Sequence, residues 1–239
     1  MPSTPTSRRA ALGIWHLTDS ALPTGGFAHS AGLETFIQSG DVTSAEEFGV
    51  WLGGYLRQAS YNEALAVRLA VQLRETDLGH EEKVALLGEL DQLCHACQTP
   101  KQVRTSMNSM GKRWARVSAI VAPEDPLVTI YREGVEKRTL RGNPGIAAGL
   151  VLGALGVPVE EAVSAYLMQM ATSMTQNAIR AIPLGQHAGQ RLLVGAYDTI
   201  EQAAVLTMSR DVADLGVVSP RLEVAQMQHE ALHSRMFMS

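Results

Sequence analysis

The stretch GNPGIAAGLVLGALGVPV, residues 142–159, contains no charged side chain. Its reading decides between a membrane helix and a helix buried in a globular domain. A bilayer span needs about 20 predominantly apolar residues. This segment is shorter, and five glycines, two prolines and an asparagine dilute it, so the buried helix is the better reading. Within it Gly145, Gly149 and Gly153 recur every fourth residue. That spacing leaves one helix face without side chains and lets another backbone approach closely. The approaching backbone belongs either to the same chain, as internal packing, or to a second subunit.

Helical periodicity continues on both sides. Val163, Leu167, Met170, Met174 and Ala178 form a long apolar stripe, opened by Pro158 with Glu160 and Glu161 in the first turn, where a fixed φ and acidic residues suit a helix start. Residues 189–208 continue the pattern. Upstream, Phe48, Trp51, Leu52, Tyr55 and Leu56 share one face, and Ser44 with Glu47 makes a capping box ahead of it. Leu65, Leu69 and Leu73 mark the next helix; Leu86, Leu90, Leu93, Cys94 and Cys97 mark another. Alternating runs bounded by Asn-Gly or Asp-Gly turns do not occur. The predicted fold is all-α, a single-domain helical bundle of about eight to ten helices. Residues 1–9 read as a flexible N-terminal tail, 10–219 as the helical domain and 220–239 as a C-terminal tail.

Composition agrees. With 239 residues, 46% hydrophobic and 18% charged, the chain is long enough to bury roughly 70–75% of its unfolded surface. The net charge of −4 and the scattered Lys and Arg residues provide no basic field for nucleic acid. Two cysteines do not make a disulfide scaffold. The N-terminal MPSTPTSRR lacks the apolar segment of a signal peptide, so a cytoplasmic location is expected.

Three short motifs point toward catalysis, and each is weak. His229-Glu230-Ala231-Leu232-His233 matches H-E-x-x-H, whose histidines on one helix face bind zinc beside a glutamate base. Only six residues follow His233, which leaves no room for a downstream third ligand, and a catalytic zinc needs three protein ligands. A zinc-dependent hydrolase at 229–233 is the alternative reading. Ala28-His29-Ser30-Ala31-Gly32 approaches a nucleophile elbow but lacks the strand that must precede one. Cys94-His95-Ala96-Cys97 is C-x-x-C without a second pair, on an apolar face where cysteines act as small hydrophobes. Met168, Met170 and Met174 have core spacing. No P-loop is present. No catalytic residue, resident metal or tightly bound cofactor is therefore assigned.

Three denser segments remain. In Leu22-Pro23-Thr24-Gly25-Gly26-Phe27-Ala28-His29-Ser30-Ala31-Gly32-Leu33-Glu34 a proline and two glycines set a sharp turn beside an aromatic, with Ser30 or a neighbour placed to cap the helix that follows. The second is Arg180-Ala181-Ile182-Pro183-Leu184-Gly185-Gln186-His187-Ala188-Gly189-Gln190. The third begins Pro220-Arg221-Leu222-Glu223 and runs through Met227, His229 and Glu230 to Ser234-Arg235-Met236-Phe237-Met238-Ser239.

These segments resemble the signatures L-P-x-G-x-F-x-x-S-x-G-L-E, R-L-x-P-L-G-Q-x-x-G-Q and P-x-L-D-I-x-S-M-x-H-E with S-R-L-F-x-S of the UreF family of urease accessory proteins. Ala181, Glu223, Gln226 and Met236 depart from the pattern. Gly142-Asn143-Pro144 stands where many members carry a histidine. A weaker likeness covers Arg104, Ser106 and Gly111. The resemblance implies an all-helical homodimer without catalysis of its own. It implies binding to a UreD/UreH-type protein, the GTPase UreG and apo-urease, with nickel handled by the assembled complex. The partner-binding residues it implies are Pro23, Gly25, Phe27, Ser30, Gly32, Glu34, Arg180, Pro183, Gly185, Gln186, Gln190, Arg221, Met227, His229, Glu230, Arg235 and Phe237. Arg180 reads either as an interface anchor or as a finger toward the partner GTPase, the anchor being the better supported. The tail is expected to be disordered or loosely docked until a partner orders it as a helix.

Overall fold

The computed structural model describes residues 7–216 and 218–238. Among them are twelve α-helices: α1 (Arg8–Thr18), α2 (Leu33–Gln38), α3 (Ala45–Ala59), α4 (Glu63–Glu75), α5 (His80–Ala96), α6 (Lys101–Val121), α7 (Pro126–Glu136), α8 (Pro144–Ala154), α9 (Val159–Ala181), α10 (Gln186–Gly195), α11 (Tyr197–Met208) and α12 (Pro220–Gln228). Single 3-10 turns lie at Gly26–Ala28, Val212–Asp214 and His229–Ala231. No strand occurs among the described residues; one isolated parallel bridge joins His29 to Met238. The fold is all-α, as expected, with more helices than the periodicity resolved. The run 189–208 breaks at Ala196 into α10 and α11, and α2 is too short to show a period.

The uncharged stretch is the hub. In α8 every residue from Pro144 to Leu152 is buried, which is what a helix apolar on all sides requires in water. It lies along α4, crosses α6 and touches α9. The glycine spacing provides the close approach, and the neighbour is internal. A Cβ on Gly145 would lie 2.4 Å from the Glu63 carbonyl oxygen, and one on Gly149 2.5 Å from that of Val67. The subunit-interface reading of this stripe is therefore corrected, because α4 fills it. Asn143 is the N-cap: its Oδ1 accepts from the Ile146 amide at 3.1 Å.

The capping box forms as read, with the Glu47 amide donating to Ser44 Oγ and the Ser44 amide to Glu47 Oε2. Below it Trp51 stacks between Phe48 and Tyr55. The α9 stripe is buried from Val163 to Ala178. On α5 the buried face is Leu87, Leu90, Asp91 and Cys94, while Leu86 and Leu93 are exposed. Asp91 explains the rotation. Its carboxylate, fully buried, accepts from Tyr131 Oη at 2.7 Å and from the Arg141 and Gly142 amides at 2.6 and 3.0 Å. It thereby satisfies the backbone leading into α8.

Of the expected tail at 1–9, residues 1–6 lie outside the described residues, and Ser7 already caps α1. No described helix is long and apolar enough to cross a membrane.

Candidate functional site

The first and third signatures, more than 180 residues apart in sequence, fold onto each other. After α1 the chain turns at Asp19, whose Oδ1 accepts from the Ala21 amide at 2.7 Å. Gly25 sits at φ +84 and Gly32 at φ +91, backbone that favours glycine. Gly32 also faces α12, where an added Cβ would lie 3.0 Å from Gln226 Cγ. The expected side-chain cap on α2 does not form. Gly32 is the N-cap position, the Leu33 amide donates to the Ser30 carbonyl at 2.9 Å, and Ser30 Oγ is buried without a partner.

Glu34 organises the junction from the first turn of α2. Its carboxylate is buried and accepts three hydrogen bonds from the far end of the chain: His229 Nε2 at 2.9 Å, the Met236 amide at 2.5 Å and the Phe237 amide at 3.2 Å. A carboxylate removed from water is tolerable when its lone pairs are filled in this way. His229 is fully buried and reaches Gln102 on α6 through Nδ1 at 3.1 Å. Thr35 Oγ1 donates to the Ala225 carbonyl at 2.8 Å, and Gln226 Nε2 to that of Ala31 at 3.3 Å. The bridge is closed by the Ser30 amide on the Met238 carbonyl and the Met238 amide on the Ala28 carbonyl, at 2.8 and 2.7 Å.

Arg180, at the end of α9, joins the second signature to the other two. Its guanidinium donates to the Phe27 carbonyl at 2.5 Å and to Asn177 Oδ1, and lies 4.8 Å from the centre of the Phe237 ring. Asn177, buried in the α9 stripe, donates to the His29 carbonyl at 2.7 Å. Arg180 thus anchors turn to tail within the chain. On α12 Arg221 pairs with Asp41 at 2.9 Å and covers the Phe36 ring. Asp41 is held below the usual carboxylate range by the Ser39 hydroxyl and then by Arg221.

The tail is therefore docked in the free chain, a correction to the loose tail expected over 220–239. Leu222, Ala225, His229 and Phe237 are buried because the body supplies Glu34, Gln102 and Arg180 as partners. Of the residues singled out from sequence, Glu34, Ser30, Gly32, His229 and Phe237 form the inside of the joint. Pro23, Arg221, Met227, Glu230 and Arg235 are exposed around it, with Phe27 half-buried at the rim. Pro183 and Gly185 are exposed on the turn into α10, and Gln186 and Gln190 are exposed on α10 itself. Gln102 and Asn177 were missed: a lone amide inside a helical run carries no local signal, apart from Asn177 interrupting an apolar stripe.

The enzyme motifs dissolve. The helical backbone ends at Ala231 and Leu232 is extended, so His229 and His233 are not one helical turn apart. His229 points inward, with both ring nitrogens engaged, and His233 is exposed. Cys94 is buried, and burial pushes its thiol far above the usual range. Cys97 Sγ lies 3.6 Å from the Leu215 carbonyl.

A family model described as UreF matches residues 42–197. The chain is 43% identical to the urease accessory protein UreF of Arthrobacter sp. over 229 residues, 95% of this chain and 96% of that one. It is 40% identical to the one from Corynebacterium efficiens over the whole of both chains, and 36% identical to the one from Bacillus sp. over 95% and 98%.

Proposed function

The chain belongs to the UreF family of urease accessory proteins, and from that premise we propose that it acts as a docking scaffold, binding a UreD/UreH-type protein and the GTPase UreG as a homodimer and promoting nickel insertion into apo-urease in the cytoplasm. It is an accessory protein, not an enzyme. Nickel is cargo of the assembled complex in this reading.

One observation supports the docking role above the others. The Glu34 joint builds a composite surface from two distant segments. Arg235, Met236 and Met238 stand exposed on the tail, Pro23 stands exposed on the turn with Phe27 half-buried, and Arg180 bridges the Phe27 carbonyl and the Phe237 ring. An arginine and apolar side chains on a rigid base are the ingredients of interface anchors. Because the joint is already folded, a partner meets a pre-ordered surface and little ordering entropy opposes binding.

Deleting residues 232–239 removes no α-helix but removes the outer half of this surface. Helix content by circular dichroism should stay within a few per cent of wild type, while affinity for the UreD/UreH-type partner, measured by calorimetry, should fall at least about a hundredfold. Arg235→Ala should weaken binding about tenfold without a change in melting temperature, and His233→Ala should leave both alone. Wild-type affinity in the truncated chain would remove the tail from the docking surface.

A further inference from the structure

The thioethers of this chain are sorted by position. Among the described methionines, Met107, Met170 and Met174 are buried, and Met110, Met168 and Met208 are half-buried. The exposed ones all lie in the C-terminal segment: Met227 at 42%, Met236 at 63% and Met238 at 59%. Met236 and Met238 flank Phe237, which is buried against Arg180. Their side chains therefore stand outside the joint while the ring between them lies inside it. What ties this stretch down is backbone. The Met236 amide donates to Glu34, and the Met238 amide and carbonyl pair with Ala28 and Ser30. The joint draws on neither sulfur.

Methionine gives a contact surface a soft, adaptable side chain. It is also a side chain that a two-electron oxidant converts from apolar to polar, in a step that reductases reverse. The usual competitor for such an oxidant is a cysteine thiolate. Burial raises the thiols of both Cys94 and Cys97 above the usual range. That keeps them protonated and slow to react.

We propose that Met236 and Met238 form a reversible oxidation site for hydrogen peroxide, and that their oxidation switches off partner docking while the fold stays intact. The step is an oxygen transfer. The thioether sulfur attacks one peroxide oxygen, the O–O bond breaks and an S–O bond forms. Sulfur gives up two electrons, and the departing hydroxide takes the proton of the transferred oxygen and leaves as water. In the free chain the new S=O dipole is hydrated at these exposed positions. Beneath an apolar partner surface it must give up that water, which costs affinity. The docking consequence rests on the proposed reading of the tail as partner-binding; the selectivity among methionines does not.

The test treats the full chain with dilute hydrogen peroxide. It follows each methionine by peptide mass spectrometry, helix content by circular dichroism and affinity for the UreD/UreH-type protein by calorimetry. Met236 and Met238 should each gain one oxygen before any other described methionine, with the spectrum unchanged. Affinity should then fall at least about tenfold. It should return after treatment with methionine sulfoxide reductases A and B together, since each reduces one epimer. The Met236→Leu/Met238→Leu variant, whatever its starting affinity, should bind equally before and after peroxide. Earlier oxidation of a core methionine, lost helix, or peroxide sensitivity that persists in the double variant would each overturn the site. Binding by the untreated chain that peroxide leaves unchanged would overturn the switch alone. Failure of the untreated chain to bind would overturn the docking reading, and the switch with it.

Discussion

Gly149→Leu is expected to unfold the protein, not merely to alter its assembly. The position faces backbone. An added Cβ would lie 2.5 Å from the Val67 carbonyl oxygen, 2.9 Å from Ala70 Cβ and 3.1 Å from Val67 Cα. No rotamer avoids the first carbon, and a helix backbone cannot yield as a flexible side chain does. Relief comes only if α8 and α4 separate, which breaks the most extensive helix pair in the fold. Overpacking usually costs about 1–3 kcal/mol. Here the clash sits on the central helix, so the expected loss exceeds about 4 kcal/mol, a large share of a domain's total stability. Circular dichroism should show lost helix, or a melting transition below the working temperature. A native-like spectrum and melting point would mean that α8 does not pack on α4 as described.

Glu63→Gln is expected to stabilise the protein, and only at neutral to alkaline pH. Burial is the larger influence on this carboxyl, pushing it up to about 7 from 4.5, while its own backbone amide pulls the other way. The unfolded chain therefore releases this proton at lower pH than the folded chain does. Between 4.5 and about 7 the folded state holds more protons, so stability falls as pH rises through that window. Above it the folded protein carries a buried anion. Each pKa unit corresponds to about 1.4 kcal/mol, which makes the penalty about 3 kcal/mol. Glutamine has the same shape and no charge to bury. Its melting temperature should exceed that of the wild type by roughly 6–12 °C at pH 8 and converge with it near pH 4. A gap of the same size at both pH values would trace the effect to packing, not ionisation.

What the sequence made legible was whatever is local. The absence of charge over 142–159 marked the hub, Ser44 with Glu47 marked the start of α3, and the three- and four-residue steps from Val163 to Ala178 marked the buried face of α9. What it concealed depends on partners far along the chain. Nothing in the period of α5 marks Asp91, yet it is buried to hold the Arg141 and Gly142 amides about fifty residues away. Glu34 and His229 each stood out within a signature, but neither spacing nor period indicates that they touch each other. The tail read as loose for the same reason. Its apolar residues have nothing to cover within the segment, and the groove that takes them is built by α2, α6 and α9.

The joint between Glu34 and the amides of Met236 and Phe237 also has a bearing on synthesis. The two sides are separated by 202 and 203 residues. At a translation rate of about 5–20 residues per second, the Glu34 carboxylate leaves the ribosome about 10–40 s before the amides that fill it. The turn and α2 must therefore wait, half-built, through the emergence of the remaining helices. A nascent chain, or one clipped ahead of residue 236, keeps the helical hub but not the composite surface. In the docking role proposed above, competence would be acquired last, and only by chains translated through Phe237.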